Sequence, residues 1–431
     1  MSEKAGTKSR RRKIIGITIW LTMMLIIIFA AFEIGFRIFY RAIPLDVCAS
    51  SPIIANYYCQ PNLVYDKPIK LAYHYKPNFK TEGIWDPADP RTANPGNETR
   101  PTGRSDAYLY KFQTDDHGFP NDEPTWRDHY DVVLVGDSFT MPTAPKPWID
   151  SLREQTGLSI LTLGAPSWGP LNYAEAIKEF GLDKQPTWTI MLYFEGNDLF
   201  NTEEYLQRQA TGLSWQEYDF SHSTLWDQLI TPHMIQYWLE KIFPPANVTP
   251  HYRYPVTAST EAGPIQMVLK DFQLLPMSAD YDTMAKSDEF AAIKQAVVGV
   301  KQQVEAQGGH FLLVYVPSKE HVYWSRIWDA VDVNNILERT VTVKLSEGDH
   351  GHFEWDPQYL SYDTFNANHN AQEKLLTDFA QGNNIEFLNL TPTFWEQGIQ
   401  HGELYNYADP HWNQAGNDLA AQTIGDYLKT H

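Results

Sequence analysis

The chain has 431 residues, enough for one large α/β domain with appendages, and its 43% hydrophobic and 20% charged residues exclude an intrinsically disordered protein. Its 34 lysines and arginines against 53 aspartates and glutamates give a formal net charge of −19. Because so acidic a protein would repel the phosphate backbone on which nucleic-acid binding depends, we expect no nucleic-acid partner.

The first element in chain order is an apolar segment preceded by a basic tail. Residues 1–13 are rich in Lys and Arg, and residues 14–36 are mostly Ile, Leu, Met, Phe and Ala. The uncharged residues 14–32 would span about 28 Å as a helix, which matches the hydrocarbon core of a bilayer. Because basic flanks remain in the cytoplasm, we predict a single-pass anchor in the cell membrane, with the remaining chain outside the cytoplasm. A cleaved signal peptide is the alternative interpretation.

Residues 37–126 are predicted to be a stalk and N-terminal extension, because they are rich in Pro, Tyr, Asn and Asp and have little helical periodicity. This segment holds the two cysteines of the chain, Cys48 and Cys59. In an oxidising compartment they would close a short disulfide loop. Two unpaired thiols are the alternative.

Short apolar strands alternate with helices in residues 127–431, which we expect to form one domain. The predicted strands cover residues 132–135, 159–163, 188–194, 310–316 and 385–390. The predicted helices cover residues 148–156, 173–180, 290–304, 371–381 and 417–429. This alternation indicates a three-layer α/β/α sandwich around a mainly parallel five-stranded sheet. Residues 199–280 are too many for an ordinary connection and are predicted to be an insertion, either a lid that binds substrate or a purely structural excursion.

Polar motifs follow the predicted strands at their carboxyl ends, where parallel sheets place their sites. Ser138 follows the first strand, in a strand-to-helix turn whose N–H groups favour a developing negative charge. Asn197 follows the third strand, and its amide is a candidate oxyanion donor. Lys319 and Glu320 follow the fourth strand and either border the pocket or lie in a solvated loop. The alternatives for the first two are a helix cap and an ordinary turn.

Near the C-terminus, the motif Asp409-Pro-His411 places an acid two residues before a histidine. A serine hydroxyl is a weak nucleophile until a base removes its proton during attack. We predict that His411 is this base for Ser138 and that Asp409 orients its imidazole. A structural histidine and a turn-forming aspartate are the alternatives.

In this order, the motifs resemble the serine, asparagine and histidine blocks of the SGNH (GDSL-type) hydrolase family. The resemblance covers residues from about 132 to the C-terminus, without the insertion. It implies an SGNH/flavodoxin-like fold and ester hydrolysis or acyl transfer through an acyl-enzyme on Ser138, without a metal or cofactor. It also implies a further oxyanion donor in the second block, where Ser167 and Gly169 are both candidates.

Three departures from the family pattern bear on the oxyanion hole more than on the Ser–His pair. Glu195 stands where the family usually has a glycine, the second block reads Gly-Ala-Pro-Ser-Trp-Gly, and one residue instead of two separates Asp409 from His411. Asp137, Lys319 and Trp412 are candidate pocket residues. Tryptophans that flank the motifs are candidates for stacking on sugars, with core packing as the alternative: Trp148, Trp168 and Trp412.

These observations lead to the hypothesis of a membrane-anchored extracytoplasmic esterase or O-acyltransferase. Its expected substrates are acyl esters, acetyl esters of glycans in particular, so an acylated polysaccharide or a small ester and the membrane are the expected partners. The pattern is loosely similar to that of alginate O-acetyltransferases. A lipase or lysophospholipase is a second hypothesis, and a non-catalytic glycan-binding or assembly protein with a degenerate site is a third.

Overall fold

The computed structural model describes residues 3–48, 50–51, 53–59, 63–65, 70–85, 107–243, 253–274, 276–327, 341–345, 353–359 and 362–431. The chain forms two compact units. The smaller unit consists of Met1–Pro61 and Asp219–Val248, and the larger unit consists of Asn62–Tyr218 and Thr249–His431. Residues 199–280, predicted as one insertion, therefore contribute to both units.

The helices and strands are named here in chain order. The α-helices are α1 Glu3–Ile38, α2 Leu45–Cys48, α3 Trp148–Thr156, α4 Pro170–Ala176, α5 Asp198–Thr211, α6 Trp215–His222, α7 Leu225–Gln228, α8 Ile230–Ile242, α9 Asp271–Leu274, α10 Tyr281–Lys286, α11 Asp288–Ala306, α12 Lys319–Ile327, α13 Tyr362–Asn368, α14 Ala371–Gly382, α15 Thr391–His401 and α16 Gln414–Thr430. The strands are β1 Leu63–Tyr65, β2 Tyr73–Tyr75, β3 Lys80–Trp85, β4 Tyr108–Gln113, β5 Val132–Gly136, β6 Ile160–Gly164, β7 Trp188–Phe194, β8 Arg253–Thr260, β9 Gly263–Lys270, β10 His310–Val316, β11 Val341–Leu345, β12 Phe353–Tyr359 and β13 Glu386–Asn389. Single turns of 3₁₀ or π helix include Ile54–Cys59, Ser138–Thr140 and Ile177–Gly181.

The smaller unit is built on the long helix α1. Lys13–Ile38 is long and apolar enough to cross a membrane, with a hydropathy of 2.6, a property that a membrane span shares with a signal sequence. Glu33, near the end of this segment, accepts hydrogen bonds from the backbone N–H groups of Ile230 (3.1 Å) and Thr231 (2.9 Å). These are N–H groups that the first turn of a helix leaves unpaired, so Glu33 fastens the start of α8 to α1.

A disulfide also lies in the smaller unit. It joins Cys48 at the end of α2 to Cys59, with the two Cα atoms 5.9 Å apart. Both cysteines border a small apolar cluster formed by α2, α8 and the turn Ile54–Cys59. Because the bridge closes a short loop, it holds the chain that follows α1 against that cluster.

The larger unit is organised around a five-stranded sheet with the strand order β13-β10-β7-β5-β6, in which all neighbouring strands are parallel. This confirms the predicted sheet. The observed strands agree with the predicted ones to within one residue at each end. The helix predicted over residues 173–180 differs, because α4 ends at Ala176 and the π-helical turn Ile177–Gly181 continues it.

Three layers follow from the alternation of side chains along these strands. Leu134 and Val314 point to one face, where they share a core cluster with residues of α3, α12, α15 and α16. Their neighbours Val133 and Leu313 point to the other face and pack with residues of α4, α11 and α14. Because helices cover both faces, the inner strands are apolar throughout, which explains why periodicity of two is absent from their sequence. The predicted α/β/α fold is thus confirmed.

Within residues 199–280, the hairpin of β8 and β9 also belongs to this core. Ala258, Ile265 and Leu269 are buried in the same cluster as β5 and β10. Along β9, Ile265, Met267 and Leu269 are buried on the face that packs against the sheet layer. On the other face Pro264 and Gln266 are exposed, whereas Val268 and Lys270 are buried. This part of the predicted insertion is therefore part of the larger unit's core.

Candidate active site

Ser138 follows the carboxyl end of β5, an inner strand between β7 and β6, as the first residue of a 3₁₀ turn. Asp137 holds this turn, because its carboxylate accepts the backbone N–H of Phe139 at 3.0 Å. A Cβ atom on Gly164 would lie 2.5 Å from the carbonyl oxygen of Gly136. A glycine at position 164 therefore allows β6 to lie this close to the turn that carries Ser138.

His411 and Asp409 lie beside Ser138, although 273 residues separate the serine from the histidine. His411 Nε2 is 2.7 Å from Ser138 Oγ, and His411 Nδ1 is 2.5 Å from Asp409 Oδ1. The same Asp409 oxygen accepts the backbone N–H of His411 at 3.0 Å. The arrangement suits a neutral imidazole that donates from Nδ1 to Asp409 and accepts the serine proton at Nε2.

The environment of Asp409 keeps this carboxylate ionised. Burial raises the pKa of Asp409, but the neighbouring His411, the hydrogen bonds from His411 and the charge of Lys270 lower it by more. The net result is a pKa well below the ordinary value of 3.8. Asp409 can therefore accept a hydrogen bond from the histidine over the whole range of physiological pH.

Lys319 holds the loop that carries both residues. Its ammonium group donates to the carbonyl oxygens of Asn406, Tyr407 and Asp409, each at 3.2 Å. The side chain is only 1% exposed, so the prediction that Lys319 lines a pocket is wrong. The prediction of a solvated loop is also wrong, because Lys319 begins helix α12 and its neighbour Glu320 is fully buried. Beneath the loop, these three carbonyl oxygens take the place of the water molecules that would solvate an exposed ammonium group.

The tryptophans near the motifs support the site from within the core. Trp412, Trp148 and Trp168 are all fully buried, so the predictions that Trp412 lines the pocket and that they stack on sugars are wrong. Trp412 contacts the ring of Phe139, with the ring centroids 4.7 Å apart, and Trp148 Nε1 donates to the Phe139 carbonyl at 2.8 Å. Large aromatic side chains here stabilise the serine turn and the histidine loop against each other.

Asn197 lies at the start of α5, close to the serine turn. Its amide nitrogen is 3.3 Å from Asp137 Oδ2, and Ser138 Oγ is 3.4 Å from the same oxygen. Asp137 thus joins the serine block to the asparagine block. Burial raises the pKa of Asp137, against the lowering effect of its hydrogen bonds and of His411. Asp137 was predicted as a pocket residue, but it is fully buried and acts beneath Ser138.

The two candidate donors of the second block differ. The backbone N–H of Gly169 donates to Asn172 Oδ1 at 3.1 Å as part of the cap of α4, so the structure disfavours Gly169 as an oxyanion donor. Ser167 is exposed and has the left-handed backbone angle φ of 58°. Its role as a donor stays a prediction.

A second buried histidine cluster was not predicted. Glu195 is fully buried, and its carboxylate is 2.8 Å from His321 Nδ1 and accepts the backbone N–H of Ser318 at 2.9 Å. On the other side, His321 Nε2 is 3.5 Å from Glu373. Burial lowers the pKa of His321, but the two glutamates raise it by more, and the net pKa lies above 6.5. Glu195 is thus one half of a buried ion pair, with His321 as the other half.

Two surface depressions adjoin the site. One, of about 270 Å³, lies beside the histidine loop and is lined by residues that include Tyr108, Thr143, Glu403, Asn406, Asn413 and Gln414. The other, of about 570 Å³, lies beside the serine turn and is lined by residues that include Lys80, Glu82, Lys111, Asp122, Thr140 and Arg153. The smaller depression is lined by residues that flank His411 in the sequence, whereas the larger one includes Thr140 of the serine turn together with the apolar side chains of Leu109, Phe112 and Ile149.

Comparison with protein-family models and with curated proteins finds no match. Among solved structures, the chain is similar to an acetyl xylan esterase (10% identity, 69% of this chain, 98% of that chain, TM-score 0.32). It is also similar to a protein described as a GDSL-like lipase from Parabacteroides merdae (10% identity, 72% of this chain, 100% of that chain, TM-score 0.33). A lipase/acylhydrolase from Enterococcus faecalis is similar as well (9% identity, 69% of this chain, 95% of that chain, TM-score 0.29). At such low identities and TM-scores, the α/β/α class rests on the sheet and layers of this chain itself.

Proposed function

We propose that the protein is a membrane-anchored serine ester hydrolase or acyltransferase that uses Ser138, His411 and Asp409. The observation that carries this proposal is the pair of hydrogen bonds that joins these residues, 2.7 Å from serine to histidine and 2.5 Å from histidine to aspartate. A nucleophile within hydrogen-bonding distance of a base, which is itself oriented by an acid, is the arrangement that acyl transfer through serine requires.

In the first half-reaction, Ser138 Oγ attacks the ester carbonyl while His411 Nε2 takes the hydroxyl proton. Asp409 stabilises the resulting imidazolium, which then donates its proton to the departing alcohol. In the second half-reaction, water or an acceptor hydroxyl attacks the acyl-enzyme while His411 takes its proton. The bond between the acyl carbon and Ser138 Oγ then breaks, and His411 returns the proton to Oγ, which restores the free serine. Hydrolysis and transfer therefore use the same residues and differ only in the acceptor.

The oxyanion of each tetrahedral intermediate would be held by Asn197 and by the backbone N–H of Ser138. The amide nitrogen of Asn197 has two hydrogens, of which Asp137 accepts one at 3.3 Å. The second hydrogen is the donor we assign to the oxyanion. Donors fixed in place before the reaction stabilise the developing charge without reorganisation.

We further propose that the substrates are short acyl esters, such as acetyl esters of glycans. The depression beside the histidine loop is lined by residues with amide, hydroxyl and carboxylate groups. Groups of these kinds form hydrogen bonds with sugar hydroxyls. Among the described residues that line it there is no Leu, Ile, Val or Phe to contact a long acyl chain. This chemistry favours a glycan over the lipid substrates of a lipase or lysophospholipase.

The location we propose is the cell membrane, with α1 as a single-pass anchor, the N-terminal tail in the cytoplasm and the larger unit outside it. The basic residues before the apolar segment support this orientation. The disulfide between Cys48 and Cys59 also supports it, because such bridges persist in oxidising compartments.

Labelling with a fluorophosphonate probe tests the proposed nucleophile in the purified full-length protein. We expect covalent labelling that is lost in Ser138→Ala and retained in Ser221→Ala. Ser221 is a matched control, because it is exposed and its hydroxyl is also next to a histidine nitrogen, 2.9 Å from His222. Labelling that persists in Ser138→Ala would assign the nucleophile to another residue and overturn the role of Ser138. The absence of both labelling and ester turnover would favour a non-catalytic glycan-binding protein.

Acetate release then tests the substrate. Incubation with an acetylated glycan, with and without an unacetylated acceptor, should release acetate or move it to the acceptor. Turnover of long-chain esters alone would favour the lipase hypothesis.

A further inference from the structure

Helix α8 of the smaller unit has an apolar face that the described residues leave uncovered. This face consists of residues at spacings of three and four, each more than half exposed: Ile235 (52%), Trp238 (57%), Leu239 (52%) and Ile242 (64%). At 100° per residue, the four side chains cover a sector about 100° wide along one side of the helix. A sector of this width is enough to contact a second apolar phase.

The uncovered face is distinct from the face that α8 uses within its own unit. Ile230 and Met234 are buried in the apolar cluster with Ile43, Val47 and Ile54. A third side of the helix is polar, where the amide of Gln236 donates to Glu240 at 2.8 Å. The helix thus has one side for the protein core, one for water and one more apolar side.

Three further large apolar side chains close to α8 in the sequence are also exposed. Leu225 and Trp226 on α7 and Phe243 directly after α8 are 71%, 53% and 73% exposed. Exposed apolar patches such as the face of α8 mark contacts with a membrane or another protein. Two of the exposed residues, Trp226 and Trp238, have the side chain that membrane–water interfaces favour.

The position of α8 along α1 selects the membrane as the partner. Glu33 of α1 binds the first N–H groups of α8, at Ile230 and Thr231. The uncharged residues 14–32 that precede Glu33 would cover about 28 Å, the thickness of the hydrocarbon core. Glu33 therefore marks the level at which α1 leaves that core, and α8 starts at this level.

We propose that α8 is a second membrane contact, which lies at the lipid–water interface with its exposed apolar face in the boundary between headgroups and acyl chains. This inference rests on the proposed anchoring by α1. An interfacial helix tied to a spanning helix restricts rotation of the smaller unit about the axis of α1, which a single span does not.

Spin-label accessibility in liposomes tests this contact with the full-length protein. Both native cysteines are in the disulfide, so each introduced cysteine is the one free thiol among the described residues. Nitroxide labels are placed on the apolar face by Trp238→Cys and Ile242→Cys, and on the polar face of the same helix by Gln236→Cys and Glu240→Cys. Ile26→Cys, on the apolar part of α1, reports on the anchor.

We expect the ratio of oxygen to nickel-chelate collisions to be several-fold higher at positions 238 and 242 than at positions 236 and 240, and highest at position 26. Equal ratios on both faces of α8, with position 26 in lipid, would overturn the interfacial helix while the anchor stands. An aqueous position 26 would overturn both. Shielding of position 238 from both reagents, with disulfide cross-links between chains, would show a second copy on this face and also overturn the inference.

Discussion

Two histidines of the larger unit are each held by carboxylates, but with opposite consequences. One ring nitrogen of His411 is hydrogen-bonded to Asp409, and the second ring nitrogen is 2.7 Å from Ser138 Oγ. His321 has carboxylates on both sides, with Glu195 at 2.8 Å and Glu373 at 3.5 Å. The first imidazole keeps one nitrogen for proton transfer, whereas both nitrogens of the second bind acids.

The two histidines also differ in the exposure of their side chains. The side chain of His411 is 18% exposed, enough for a substrate to reach it, whereas that of His321 is 7% exposed. His321, between the buried Glu195 and the partly buried Glu373, is stabilised as a cation, because deprotonation would leave the charges of the carboxylates unbalanced. A histidine between one carboxylate and a hydroxyl can alternate between base and acid. The partner of the second nitrogen therefore distinguishes His411, which we propose is catalytic, from His321, which is part of a buried ion pair.

Ser138→Ala is expected to have the largest effect. Without the hydroxyl, His411 has no proton to take and no acyl-enzyme forms, so kcat for ester turnover should fall by about 10⁴- to 10⁶-fold. The double variant with His411→Ala should be no slower than Ser138→Ala alone, since the two act as one unit. Steady-state kinetics on an acetyl ester measure both, and an unchanged thermal unfolding midpoint is the control. Additive losses would contradict a shared mechanism.

Asp409→Asn should have the next largest effect on activity. An amide nitrogen facing Nδ1 would favour the wrong tautomer of His411, so kcat should fall by about 10⁴-fold with little change in KM. Since the pKa of Asp409 lies well below 3.8, the wild-type rate should show no loss from protonation of this group above pH 5. A variant within threefold of the wild-type kcat would show that Asp409 only shapes the loop.

His321→Gln should affect stability instead of chemistry. Removing the imidazolium leaves Glu195 buried without its counter-charge, so the free energy of unfolding should fall by about 3–5 kcal/mol in denaturant titrations. His310→Gln is the matched control, because His310 pairs with Glu386 at 3.0 Å on the surface. That variant should lose less than about 1 kcal/mol. Equal losses in the two variants would contradict the buried ion pair.

The same cluster predicts the sign of a pH dependence. The folded-state pKa of His321 is raised above 6.5, so its contribution to stability is fully present below pH 6.5 and is lost as the pH rises through the folded pKa. The free energy of unfolding of the wild type should therefore decline on the alkaline side of neutrality. This decline should be smaller in His321→Gln, and an identical decline would assign it to other groups.

The sequence was sufficient to predict those parts of the fold and site that depend on local pattern. Apolar runs buried on both faces predicted the five parallel strands, because such runs need helices above and below. The positions of Ser138 and Asn197 followed from the rule that sites form at the carboxyl ends of parallel strands. The structure then placed His411 beside Ser138, as the order of the motifs had suggested.

Features that depend on long-range packing could not be predicted in this way. The pairing of Glu195 with His321 joins the end of β7 to α12, and an acid after a strand does not reveal its distant partner. Trp412 lies beside a motif in sequence, but its burial depends on Phe139, which is 273 positions away. The apolar face of α8 is also hidden in the sequence, since only the packing of Ile230 and Met234 shows which side remains uncovered.

Lys319→Met is expected to have the smallest effect of the four variants, and it should act by changing the geometry of the site. Loss of the ammonium removes a donor that three carbonyl oxygens of the histidine loop share, so the loop should shift relative to Ser138. A shift of about 1 Å costs up to about 100-fold in rate, so we expect kcat to fall by about 10- to 100-fold with KM nearly constant.

The contrast with a partly buried lysine of helix α11, Lys301, decides whether Lys319 is a positioning residue. Lys301→Met removes a lysine that pairs with Glu305 on the same helix at 2.8 Å, and it should change neither kcat nor KM. A loss of stability in Lys319→Met with an unchanged kcat would mean that the loop keeps its geometry without the ammonium. A fall in kcat at constant KM, partly restored by Lys319→Arg, would mean that the buried cation aligns His411, because an arginine can still donate to the same oxygens.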